Sequence, residues 1–79
     1  MYYSFSTSND EANTSAVIDE NESLDELKKS LREYYKQKAM DDDAPYWEID
    51  GFIFTHNQFG DLMNVSHYYA CANMPVRRN

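Results

Sequence analysis

Residues 23–40, SLDELKKSLREYYKQKAM, decide how the rest of this chain is read. Ser23 followed three residues later by Glu26 has the form of a capping box, and Asp25 and Glu26 stand at the positive end of the helix dipole. Leu24, Leu27, Leu31, Tyr34 and Tyr35 recur at steps of three and four, while Lys28, Lys29, Arg32, Glu33 and Lys36 fall off that stripe. The spacing predicts an amphipathic helix with one face to bury. A lone helix of this length is marginal in water, so another element has to cover those leucines and tyrosines.

Toward the C-terminus the helix runs into Asp41, Asp42 and Asp43. Carboxylates at the negative end of the dipole cost about 0.3 to 1 kcal/mol each before screening. Either Lys36 and Lys38 neutralise them in a solvated loop, or the run is an acidic patch kept for a partner at some expense of stability. Pro45 then blocks helical continuation and starts an extended segment.

Tyr46 to His56 alternates as a strand, with Trp47, Ile49, Gly51 and Ile53 on one side and Glu48, Asp50, Phe52, Phe54 and His56 on the other. Asn57 to Asp61 is a turn. Leu62 to Ala72 fits two readings: a strand, or a helix aligning Leu62, Val65 and Tyr69. The short connection and the need of the preceding strand for a neighbour favour the strand. A five-residue loop that sets His56 opposite Leu62 would place Ile53 against Val65, Ile49 against Tyr69 and Trp47 against Cys71 as the face under the helix. The reverse face would then carry Glu48, Asp50, Phe52, Phe54, Asn64, Ser66 and Tyr68, either exposed to solvent or with Phe52 and Phe54 covered by the N-terminal segment or a second copy of the chain.

Toward the N-terminus, Tyr2 to Thr7 and Thr14 to Asp19 have strand character around a polar turn at Ser8 to Asn13, which predicts a hairpin. The fold class expected is α+β, order ββαββ, a small antiparallel sheet covered on one face by a single central helix. Residues 1–79 read as one compact domain, with 74–79 as a flexible C-terminal tail. A chain of 79 residues buries only about 60% of its unfolded surface, so the core is expected to be thin.

Charge bounds the partners. The net charge is -7, from fourteen acids and seven bases. Met1 to Leu27 holds seven acids and no lysine or arginine, Lys28 to Lys38 five bases and one acid, and Asp41 to Asp61 six acids and no base. Direct binding to DNA, RNA or anionic membranes is not expected, because phosphate contacts need clustered lysine and arginine. An acidic field instead steers a basic protein into encounter. Seven tyrosines, many for this length, supply apolar area with a hydroxyl handle, as protein interfaces do.

Cys71 is the one cysteine, so no internal disulfide forms. With no signal-peptide pattern at the N-terminus and no apolar run long enough to span a bilayer, the chain reads as cytoplasmic. No catalytic, metal or cofactor site is expected. His67 and Cys71 on one strand lie about 13 Å apart, too far to share a zinc ion or act as a nucleophile pair. Acid pairs such as Glu48 with Asp50 catalyse only in a cleft that separates their pKa values, and the aspartate run lacks the spacing of a calcium loop.

The function expected is that of a small acidic protein-binding module, an inhibitor in character. Its partner-binding residues would be Asp41, Asp42, Asp43, Glu48, Asp50, Phe52, Phe54 and Tyr68, set against the basic, nucleic-acid-binding surface of a target such as a nucleic-acid-processing enzyme or complex. In size, acidity and lack of catalytic motifs the chain is similar to phage-encoded anti-CRISPR and antirestriction proteins, a likeness of composition carried by no motif. The alternative is a structural or self-assembling homodimer that uses the same aromatic face.

Overall fold

The computed structural model describes residues 1–10 and 16–75. Strands β1 (Tyr2–Ser6) and β2 (Val17–Asn21) precede helix α1 (Leu24–Asp41), and β3 (Tyr46–His56) and β4 (Leu62–Asn73) follow it. All three strand pairings are antiparallel, in the order β2-β1-β3-β4. The expected ββαββ architecture is thus the observed one. The second strand begins at the β-former Val17 and runs two residues past the expected Asp19, to Asn21, while Thr14 and Ser15 lie outside the described residues.

Helix α1 starts as its sequence dictates, with one difference. The Ser23 side chain accepts from the Glu26 amide at 3.3 Å, but the Ser23 amide donates to Asn21 Oδ1 at 2.9 Å, so Asn21 takes the return role that the capping box assigns to Glu26. Leu27 and Leu31 are fully buried and Leu24 and Tyr35 partly so, whereas Tyr34 is half exposed. Ser30 Oγ donates to Asp19 Oδ2 at 2.6 Å, which ties the helix to β2.

Phe5, Leu27, Leu31, Ile49 and Ile53 form the core between helix and sheet. The ring of Phe5 meets Tyr35 and Tyr68 edge-on, with centroids 6.3 and 6.4 Å away. Gly51, between Ile49 and Ile53, leaves the space this ring occupies.

The aspartate run is the helix stop. Asp43 adopts φ 54°, the left-handed conformation that a helix exit usually gives to glycine or asparagine. Its amide donates to the Met40 carbonyl at 3.1 Å, and the Ala44 amide reaches back to the Ala39 carbonyl at 2.8 Å, so carbonyls left open by the helix end are satisfied. Pro45 follows as expected.

Asn57 builds the turn between β3 and β4. Its Oδ1 accepts from the amides of Phe59 and Asp61 at 2.9 and 3.0 Å, and Gly60 supplies the positive φ of 84°. His56 lies opposite Leu62 as expected, but the pairing slips by one residue at once: Thr55 pairs with Asn64, so Met63 is the extra residue of a bulge. Beyond it Ile53 pairs with Ser66, Ile49 with Ala70 and Trp47 with Ala72. Every β4 side chain after Met63 therefore faces opposite to the register expected from loop length.

Past Asn73 the chain does not fray immediately. The Met74 amide donates to the Pro45 carbonyl at 2.9 Å, and residues 76–79 of the expected tail lie outside the described residues.

Candidate functional site: an acidic, tyrosine-bearing sheet face

Strand β1 pairs with β3 only over Phe52 to His56, so Tyr46 to Gly51 have β4 on one side and no described strand on the other. This half of the hairpin is a ribbon. Alternation turns Ile49, Gly51 and Ile53 into the core and leaves Tyr46, Glu48 and Asp50 exposed on the side away from the helix. Cross-strand pairing sets Cys71 beside Glu48, Tyr69 beside Asp50 and His67 beside Phe52 on that same side.

The two carboxylates are fixed by diagonal neighbours. His67 Nε2 lies 2.6 Å from Asp50 Oδ1, and Tyr69 Oη donates to Glu48 Oε2 at 2.9 Å. The Cys71 thiol and the Glu48 carboxylate, in that order, hold the Tyr69 phenol well above the ordinary tyrosine range by stabilising its neutral form. The result is a pre-set row of acids with aromatic and hydroxyl groups between them. Glu48 and Asp50 stand on an open sheet surface, and no three His, Cys, Asp or Glu side chains among the described residues converge on a metal site.

Asp41, Asp42 and Asp43, all exposed, lie at the same end of β3. Glu48 follows Asp43 by five positions, which limits their Cα atoms to about 18 Å apart. Gln37 Nε2 donates to Asp41 Oδ1 at 2.9 Å, so part of this run is also held in place.

The aromatic members of the expected site need correction. Tyr68 is on the helix side: it meets Phe5 edge-on, and Lys28 Nζ lies 5.3 Å from its ring centre. The bulge at Met63 put it there. Phe54 does face away from the helix but is only 3% exposed, flanked by Ser4 on β1 and Val65 on β4. Phe52 is half-buried, tilted against His67 at 5.6 Å between ring centres. The exposed aromatic groups of this face are instead Tyr46 and Tyr69, 51% and 52% exposed, which the sequence reading did not place there.

The basic residues are segregated from this face. Among the described residues every lysine and arginine, Lys28, Lys29, Arg32, Lys36 and Lys38, belongs to α1, on the other side of the sheet. No helix among the described residues is long and apolar enough to cross a membrane. Comparison with protein-family models, with curated proteins and with solved structures yields no match.

Proposed function

We propose that this protein is a binding module whose acidic ribbon face docks on a basic surface of another protein, and that it acts there as an inhibitor by placing carboxylates where nucleic-acid phosphates would otherwise lie. The segregation of charge carries this reading: Glu48, Asp50, Tyr46 and Tyr69 share an exposed face with no described lysine or arginine on it, and the exposed Asp41 to Asp43 precede this strand in the chain. Carboxylates held by Tyr69 and His67 lose little freedom on binding, and tyrosine adds contact area at low entropic cost. Long-range attraction would set the association rate, and salt would weaken it.

The test compares the wild-type chain with a variant carrying Glu48→Gln, Asp50→Asn and Asp42→Asn, changes that preserve shape while removing charge. Bait of each kind is exposed to a cell extract and eluted by graded salt, and the retained protein is then assayed for nucleic-acid binding with and without the module. The expected result is a basic protein that elutes at moderate salt, is lost by the variant, and loses nucleic acid when the module is added. Equal retention by both baits, or a partner indifferent to salt, overturns the reading.

A further inference from the structure

Among the described residues, strand β4 is an unguarded edge. It spans twelve residues, Leu62–Asn73, and among the described residues only β3 pairs with it. In a chain of net charge -7 it contains no aspartate, glutamate, lysine or arginine, and no proline. Met63, Val65 and Tyr69 on it are 61%, 39% and 52% exposed. Soluble proteins normally blunt such edges with charge, proline, brevity or a cover. The opposite edge obeys that rule: β2 has five residues, includes Asp19 and Glu20, and is followed by Glu22.

We infer that β4 pairs antiparallel with β4 of a second copy, joining two four-stranded sheets into one of eight across a two-fold axis. A second copy fits this edge because two molecules of the same strong net charge oppose each other least in strand pairing where neither edge carries charge, and β4 is the edge strand that meets this condition. Pairing the whole regular run after the bulge, Asn64 to Ala72, fixes the axis at Tyr68. Val65 then opposes Cys71 of the second copy and His67 opposes its Tyr69 on the outer face, while Ser66 opposes Ala70 on the helix side. No like charges meet in this register. The Met63 bulge and the turn beyond it end the pairing on each side, so the assembly closes as a dimer. The inference goes beyond the basic-partner reading and is tested with pure protein, so either can fail alone.

The register makes the test specific. The native Cys71 residues of the two copies would lie about 20 Å apart, six residues at ~3.3 Å each, and could not bridge. Val65→Cys would bring a new thiol against Cys71 of the second copy, and mild oxidation should yield a dimer resistant to denaturant that reverts on reduction. Sedimentation equilibrium of the wild type should give twice the 9.3 kDa chain mass. Val65→Glu with Cys71→Glu should raise the dimer dissociation constant about fivefold or more, and Val65→Lys with Cys71→Glu should restore it. Circular dichroism confirms that each variant is folded. A monomer at all concentrations overturns the inference. So does a dimer in which Val65→Cys fails to cross-link, or in which the two charge variants behave alike.

Discussion

Gly51 lies beneath the ring of Phe5: a β-carbon added to it would collide with Phe5 Cζ and stand 2.6 Å from the carbonyl oxygen of Ser6. The ring could shift only by leaving its edge contacts with Tyr35 and Tyr68, and the Ser6 carbonyl belongs to the β1 backbone. Gly51→Ala is therefore expected to destabilise the fold by about 1 to 3 kcal/mol, as overpacking does. Urea unfolding of the two proteins measures it, and an unchanged midpoint would show that the Phe5 ring is not held over the glycine.

Leu31 is fully buried in the core of a small domain. Leu31→Ala removes volume that the thin core cannot refill, at an expected cost of about 2 to 5 kcal/mol. Tyr34→Ala, on the same helix but half exposed, is expected to cost far less. Thermal melts of the two variants should differ widely, and similar melts would mean that the helix is rotated from the orientation described.

At the helix exit, Asp42 is an exposed carboxylate facing the negative end of the dipole, and its amide rather than its side chain bonds Lys38. Asp42→Lys replaces an unfavourable charge by a favourable one, with an expected gain of about 0.3 to 1 kcal/mol at low salt that fades as salt rises. If the acidic face is the docking surface, the same substitution slows partner association. A more stable protein with slower binding would show folding and recognition making opposite demands on this turn. A protein no more stable at low salt would show that Asp42 lies outside the dipole's reach.

Tyr69 should titrate late. Its folded-state pKa is raised, first by the Cys71 thiol and then by Glu48, so the neutral phenol is favoured by folding. This contribution is complete below the unfolded phenol value near about 10 and is lost as pH climbs above it. Phenolate absorbance of the wild type minus that of Tyr69→Phe should place this tyrosine above the ordinary range. Cys71→Ala should lower it more than Glu48→Gln does. A normal titration for Tyr69 would mean that the diagonal contact to Glu48 is not kept in solution.

Much of the fold could be read from residue pattern because apolar contrast was strong where it mattered. The steps of three and four in the helix and the alternation of Trp47, Ile49, Gly51 and Ile53 each had one physical solution, and β3 runs between the residues that its pattern indicated. β4 offered no such contrast. Its two rows, Val65, His67, Tyr69, Cys71 and Ser66, Tyr68, Ala70, Ala72, are similarly mixed, and no glycine marked Met63 as a bulge, so hydrophobicity could not set the register. That one residue moved Tyr68 off the expected site and brought Tyr69 and His67 onto it. The aspartate run was legible as an anomaly of charge and as the place where the helix ends, but its geometry was not, since nothing local showed that Asp43 would take the left-handed position at the exit.

The bulge at Met63 has a consequence for how this surface can change. Because side chains alternate along a strand, closing the bulge with no residue removed, so that Met63 paired with Thr55, would turn the outer row of β4 inward and the inner row outward while β3 and the helix kept their sequences. A slip of the ladder by a single residue would thus exchange the whole set of groups on the open side of the ribbon, and a chain that lost Met63 would keep the present set. Which row faces outward is therefore held by one unpaired residue rather than by the composition of the strand.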